Sequence, residues 1–478
     1  MLYEFIASVA VVYLFLMVYF NKIHKKFEKN RPPLITGYIP FIGVALQFGK
    51  DPKAYQDHLR TIYGDVFTIY VMGQFITVIK SPHDVQKIYT QPKKFDFHAI
   101  SHKHALNTFG LPRTITPDHA HDQHTLMVRN LQNLDLDYLT TRARDRLEEM
   151  LLTPKNKEWQ QVNMHNWISY IIVSVTTRSM FGDNLPIDQI YKDYFPFDEQ
   201  FQILASGLPP SLKKDAIEKR RKFARHFEQS NPNEDACDLI KLRHEGLTEH
   251  CQDVPLGMGH CMGVISWVAM TNTLNATFWC MYYLLQLPKD VTQLIVDEIK
   301  SELVFSEGSV LPEITHESLN KLEKLDSLFD EVLRFTFSTM STRVVTQPID
   351  YKSSSGKVYH FEQNDFLMLS NSHYDPDLFE EPNKFKWDRF LTMNKEPLKD
   401  GKPAKLGSFF MTFGGGVSKC PGRFFAKNEM KIFAIALLLA FDIDVVKDGK
   451  PSMDKSRWCF QTAPPLNGDV IIKYRLKK

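Results

Sequence analysis

The feature that most constrains this chain lies near its C-terminus. Gly414-Gly415-Gly416 leads into Val417-Ser418-Lys419-Cys420-Pro421-Gly422, and an apolar run with helical spacing follows from Arg423 to Phe441. Glycines let backbone N–H groups approach a ligand closely. A cysteine at the mouth of the next helix meets the positive end of its dipole. Both effects favour thiolate over thiol. Cys420 is therefore a candidate metal ligand or nucleophile; the loop alone leaves open a buried structural cysteine beside a turn.

The rest of the chain must supply what such a loop needs. With 478 residues it has room for one large domain or up to about three average ones. Its 58 basic against 56 acidic residues leave a formal charge of +2, which gives no field for a polyanion, so nucleic acid is not an expected partner. Thirty-five phenylalanines suit a large apolar core or cavity. Six cysteines show neither Cys-x-x-Cys spacing nor a dense framework, which fits a reducing compartment and suggests no zinc site.

Leu2 to Phe20 is an apolar run with Glu4 as its only charge, at the short end of the roughly 17–25 residues that span a bilayer. Lys22, His24, Lys25, Lys26, Lys29 and Arg31 follow it, then Pro32-Pro33. Residues 1–21 are expected to be a single transmembrane signal anchor, 22–33 a basic, proline-containing linker, and 34–478 one domain on the cytosolic side. A cleaved signal peptide would carry its positive residues before the apolar run.

Asp65 to Val71 and Gln74 to Ile79 are β-rich runs split by Met72-Gly73, a hairpin signal. Asp51 to Tyr63, Pro82 to Thr90, Trp167 to Phe181 and Phe195 to Leu212 read as helices, and Arg457 to Thr462 and Val470 to Tyr474 as strands. The fold class is thus mainly α with small β-sheets. His98, His102 and His104 fall in a stretch, Phe95 to His104, expected to be a loop rather than a metal site, and His119, His121 and His124 are read the same way, since no cysteine accompanies either cluster. Val264 to Leu287 is apolar on every face and so buried. Its polar interruption, Thr271 to Asn275, argues against a second membrane span.

The spacing Phe413-x-x-Gly416-x-x-x-Cys420-x-Gly422 resembles the haem-binding loop of the cytochrome P-450 family. Three further signals agree in order: the long buried helix, Glu331-x-x-Arg334, and Arg389 in Phe385-Lys386-Trp387-Asp388-Arg389-Phe390. The resemblance implies a single haem domain of the P-450 fold holding haem b, with Cys420 as axial ligand to iron and Phe413 beside the sulfur. It implies that Glu331, Arg334 and Arg389 form an ion network behind the haem. By the same resemblance Arg343, His373 and Arg129 are candidate partners of the haem propionates, and the loop from Phe95 to His104 is expected over the substrate or haem. The tryptophan usual four residues before Arg129 is replaced by Thr125, and the basic residue usual two before the cysteine by Ser418.

Within the family the chain is similar to microsomal cholesterol and oxysterol 7α-hydroxylases, sterol 12α-hydroxylase and prostacyclin synthase, because Asn272 stands where an acid–threonine pair usually puts threonine. Thr271 and Asn272 are then the candidate catalytic pair, and Ala269, Asn272 and Ser341 should line the substrate pocket. Phe197-Asp198-Glu199-Gln200-Phe201 with Gly207-Leu208-Pro209 resembles the pocket roof of the sterol-hydroxylating branch. Asn272-Thr273-Leu274-x-Ala276-Thr277-Phe278-Trp279 leans toward the 7α-hydroxylases. The resemblance implies a haem-thiolate monooxygenase of the endoplasmic reticulum membrane, fed by NADPH–cytochrome P-450 reductase. Lys419, Arg423, Lys427 and Lys431 offer that partner a basic face, or are a solvated helix face. Rival readings are an endoperoxide isomerase needing neither reductase nor dioxygen, and a haem- or sterol-binding protein without turnover.

Overall fold

The structure, a computed structural model, describes residues 11–16, 18–19, 30–152, 157–206, 208–228, 232, 234–337, 340–457, 465–466 and 468–477. Most of the expected anchor 1–21, and residues 22–29 of the expected linker 22–33, lie outside these residues. Among the described residues no helix is long and apolar enough to cross a membrane.

Eleven helices frame the interior: α1 Pro82–Tyr89, α2 His98–Phe109, α3 Pro117–Arg129, α4 Leu136–Leu151, α5 Met164–Phe181, α6 Ile187–Asp198, α7 Lys214–Glu228, α8 Asp238–Cys251, α9 Gly257–Leu285, α10 Glu323–Thr336 and α11 Arg423–Ala440. The axis is α9, whose 29 residues span about 43 Å. Its apolar surface runs all round, and α5, α7, α8, α10 and α11 cover it. Gly259 lets α7 come close: a Cβ there would lie 2.4 Å from the Ala224 carbonyl oxygen. The main apolar core lies between these helices.

A six-stranded sheet stands beside the bundle. It contains β1 Leu34–Ile35, β2 Val66–Val71, β3 Gln74–Ile79, β4 Phe95–Asp96, β5 Ser341–Val345 and β6 Phe366–Leu369, in the order β1-β2-β3-β6-β5-β4. The β2–β3 hairpin pairs Val66 with Ile79 through Val71 with Gln74. Met72 and Gly73 turn it with φ of 47° and 82°, the positive values of a two-residue hairpin loop. Arg31 is no free linker charge: its guanidinium pairs with Asp365 at 2.9 Å, ahead of β1. A second sheet joins Gln160–Asn163, Ile471–Leu476 and Phe441–Lys447.

Three expectations change. Phe95 to His104, expected as a loop, is β4 followed by α2, which Gly110 ends in the left-handed conformation. Phe195 to Leu212 is not one helix. It breaks after Asp198, resumes over Phe201–Ala205 and ends in a 3-10 turn at Pro210–Leu212, because prolines 209 and 210 cannot extend the ladder. Lys213 lies beyond the break, and its Nζ donates to the carbonyls of Leu204 and Ser206. Of the expected strand Arg457 to Thr462, Arg457 lies in a 3-10 turn and the rest falls outside the described residues.

Candidate functional site: a cysteine loop, a buried arginine and an open stripe on α9

The cysteine loop is a chain of tight turns. Gly414 and Gly416 have φ of 69° and 67°, which side chains rarely adopt. The Cys420 N–H donates to Phe413 O at 2.9 Å, and Lys419 N–H to Gly416 O at 3.2 Å. Phe413 packs half-buried against the main core. The Arg423 guanidinium donates to Cys420 O at 3.0 Å and lies 4.2 Å from the Phe424 ring centre. The loop and the dipole do not decide the thiol's charge. Burial pushes it above its ordinary pKa, and the amides of Gly422 and Arg423 with the charges of Arg423 and Lys419 offset this only in part. Yet Cys420 keeps some accessible surface. A buried thiol of this kind becomes thiolate when a cation binds it.

The three-residue ion network is brought together. Glu331 and Arg334 are fully buried and Arg389 nearly so. Arg334 meets Glu331 through two N–H groups at 2.7 and 2.9 Å, the bidentate geometry that suits carboxylate. Arg389 Nε donates to Glu331 Oε2 at 2.9 Å, and Lys386 N–H to Oε1 at 2.9 Å. Further guanidinium donors satisfy the carbonyls of His373, Pro382 and Lys384. One carboxylate thus fastens α10 to the irregular segment 373–389.

Both His373 ring nitrogens are occupied. Nδ1 donates to Phe337 O at 2.9 Å, and Nε2 accepts from Met411 N–H at 3.2 Å. Burial and the Arg334 charge push its pKa down to about 3, so it is neutral. It ties the end of α10 to the start of the cysteine loop, with both nitrogens engaged by the chain itself.

Arg343, on β5, is buried. It donates to Ser341 Oγ at 2.9 Å, Thr342 O at 2.6 Å and Gly415 O at 2.9 Å. Its guanidinium lies over the rings of Tyr89 and Phe97. No carboxylate forms an ion pair with it among the described residues; Asp96 acts only through its field. Arg129 is exposed at the last position of α3.

Histidines that the sequence left apart are gathered. His98 of α2 meets His121 and His124 of α3, with ring centres 5.1 and 4.9 Å away. Burial lowers the pKa of His98 and of His124. His124 Nε2 and Ser418 Oγ are buried without a hydrogen-bond partner. Among the described residues no group of three His, Cys, Asp or Glu could hold a metal ion.

Between residues 257 and 281 of α9, only Val264, Val268, Ala269 and Asn272 are not buried. Their spacing of i, i+4, i+5 and i+8 puts them on one face. Val268 is 47% exposed in the middle of a helix otherwise covered, so this face is left open. Ala269 and Asn272 fall on it together. Thr271 does not. It is fully buried on another face, where Tyr194 donates to its hydroxyl at 2.9 Å and Asn275 Nδ2 to its carbonyl at 3.1 Å.

The profile described as Cytochrome P450 matches residues 32–206 and 214–470 of this chain. The chain belongs to the cytochrome P-450 family. It is 30% identical over 477 residues to Cytochrome P450 7B1 of Mus musculus, covering 94% of this chain and 91% of that one. It is 28% identical to Cholesterol 7-alpha-monooxygenase of Cricetulus griseus, over 96% of each. It is 30% identical to 7-alpha-hydroxycholest-4-en-3-one 12-alpha-hydroxylase of Homo sapiens, over 93% of each. This P-450 is an oxidoreductase that incorporates oxygen, with thiolate-ligated haem iron as its prosthetic group. The residues present fit such a group: a partly accessible cysteine, a buried arginine that no carboxylate among the described residues pairs with directly, and two polar atoms, His124 Nε2 and Ser418 Oγ, buried without a partner.

Proposed function

We propose that this P-450 hydroxylates a sterol, at the 7α position of cholesterol or of an oxysterol. The observation that carries the reading is the open stripe on α9. It runs about 12 Å from Val264 to Asn272, apolar until its one amide, a wall suited to a flat hydrocarbon ring system. The relatives named for sterol 7α- and 12α-hydroxylation, matched over more than nine-tenths of the chain, support the substrate class.

Cys420 would hold the iron of haem b, and Arg343 would hold a propionate through the one side of its guanidinium not spent on Ser341, Thr342 and Gly415. Bound there, the haem supplies oxygen activation using two electrons from NADPH. The chain's own residues do the rest. Val264, Val268 and Ala269 exclude water and orient the sterol. The Asn272 amide can donate through Nδ2 and accept through Oδ1, so it can hold a proton-carrying water on that face. The Glu331–Arg334–Arg389 network fixes the scaffold behind. Electrons would arrive through NADPH–cytochrome P-450 reductase, with the catalytic domain held on the cytosolic side of the endoplasmic reticulum membrane by an anchor at 1–21.

Product analysis by mass spectrometry tests this. Purified holoprotein receives cholesterol, an oxysterol or a prostaglandin endoperoxide, with and without reductase and NADPH. A sterol gaining one oxygen at C7 only in the complete system is the expected result. A hydroxyl at C12 moves the reading to the 12α-hydroxylases. Endoperoxide rearranged equally without reductase overturns it.

A further inference from the structure

Two cysteines outside the haem site lie against each other. Cys251 is the last residue of α8, and Cys261 lies in the second turn of α9. Residues 252–256 fold the chain back between them, with Val254 N–H donating to Cys251 O and Gly257 N–H to Val254 O. The two sulfurs are 3.7 Å apart, in van der Waals contact. Cys251 is 7% exposed and Cys261 fully buried, but Gln252, Asp253 and Pro255 of the turn above them are exposed. A cation is fixed alongside. Arg243 of α8 donates to Cys261 O through Nε and Nη2 at 3.3 and 3.0 Å, and to Gln123 of α3 at 2.7 Å. Cys237 and Cys280, also buried and free, form no sulfur–sulfur contact among the described residues. Simple packing of two small apolar side chains would need neither this pairing nor the guanidinium beside it.

We propose that Cys251 and Cys261 are a reversible dithiol switch, closed by hydrogen peroxide to an intramolecular disulfide that fixes the start of α9. The thiolate of Cys251, the more accessible sulfur, attacks one peroxide oxygen. The O–O bond breaks, hydroxide leaves and takes up the thiol proton as water, and Cys251 becomes a sulfenic acid. The Cys261 sulfur then attacks the Cys251 sulfur. The S–O bond breaks, the S–S bond forms, and the second water leaves with the Cys261 proton. Two thiols lose two electrons and two protons, and one peroxide is reduced to two waters. The sulfurs must close from 3.7 Å to about 2.05 Å. In a reducing compartment the pair rests open, and a thiol reductant reopens it by exchange. Closure acts on function through position: Cys261 precedes Val264, the first residue of the open stripe, by less than one turn.

The test uses the full-length holoprotein, reduced, freed of reductant and titrated with hydrogen peroxide. Remaining thiols are alkylated, and the chain is cut before Asp253 by an Asp-specific protease, which separates Cys251 from Cys261, and after Trp267 by chymotrypsin, which separates Cys261 from Cys280. The expected result is a linked pair of peptides carrying Cys251 and Cys261, lighter by two hydrogens and reopened by dithiothreitol. It should form at about a tenth of the peroxide needed to modify Cys237 or Cys280. Cys251→Ser and Cys261→Ser should each abolish it. The wild-type digest decides between the outcomes even if a variant fails to fold. Cys251 trapped as sulfinic acid with Cys261 still alkylated, a link from Cys261 to Cys280, or modification of all buried thiols in parallel would overturn the switch.

Discussion

Glu429 gives a prediction that depends on no ligand. It lies on α11, facing α4 and α5, among Ala143, Leu147, Ile172, Val175, Ile432 and Phe433. Its Oε1 accepts from the Thr176 hydroxyl at 2.7 Å, and its Oε2 is buried without a partner. Burial pushes the carboxyl up to about 8 from an ordinary 4.5, and the Thr176 bond offsets this only slightly. The folded protein therefore binds a proton that the unfolded chain releases across that interval. Stability is highest below pH 4.5, falls by about 1.4 kcal/mol per pH unit between the two values, and levels off above pH 8. The loss reaches on the order of 3 kcal/mol by pH 7. Glu429→Gln keeps the shape and the Thr176 bond and cannot ionise, so it removes the slope. For a chain of this length about 1 kcal/mol moves the melting temperature by about 1 °C. Scanning calorimetry at pH 5, 6, 7 and 8 should show the variant nearly level with the parent at pH 5 and about 3 °C above it at pH 7. Parallel curves at every pH would refute the reasoning and mean that Glu429 is solvated or paired.

Three other outcomes follow from the geometry. Glu331→Gln leaves two buried guanidinium groups without their shared carboxylate and should cost about 3–5 kcal/mol, read as a lower urea midpoint or loss of soluble holoprotein; an unchanged midpoint would mean the network is dispensable. Asn272→Ala should lower the fraction of NADPH recovered as hydroxylated product, whereas Thr271→Val should leave that fraction unchanged and cost only about 1 kcal/mol of stability from the lost Tyr194 bond; the reverse pattern would return Thr271 to the open face. Cys420→Ser should abolish product formation, and full activity in that variant would sink every catalytic role assigned to the loop.

What the sequence made legible was covalent and local. The hairpin could be read because Met72-Gly73 needs positive φ at both positions. The cysteine loop and Glu331-x-x-Arg334 could be read because their spacing is fixed within one turn or one loop. Less visible was orientation. An all-apolar helix such as α9 has no polar side to mark its open face, so Thr271 and Asn272, one residue and about 100° apart, could not be sorted before the packing of Tyr194 was known. His373 was read from its neighbours in sequence, but its two nitrogens are claimed by Phe337 and Met411, 36 and 38 residues away. The His98–His121–His124 contact joins two helices across the 110–116 connection, and nothing local marks it. At Cys420 the dipole is local and visible in the sequence, whereas the desolvation that raises the metal-free thiol is collective and is not.

The central claim is that oxygen from dioxygen is inserted into a sterol held along α9. The most direct measurement incubates purified holoprotein with an oxysterol, reductase and NADPH under oxygen-18 gas, then locates the label in the product by mass spectrometry. The account predicts one oxygen-18 atom, on C7 in the α configuration, and no product when reductase is omitted. A product whose new oxygen comes from water, or one formed equally without reductase, would contradict it.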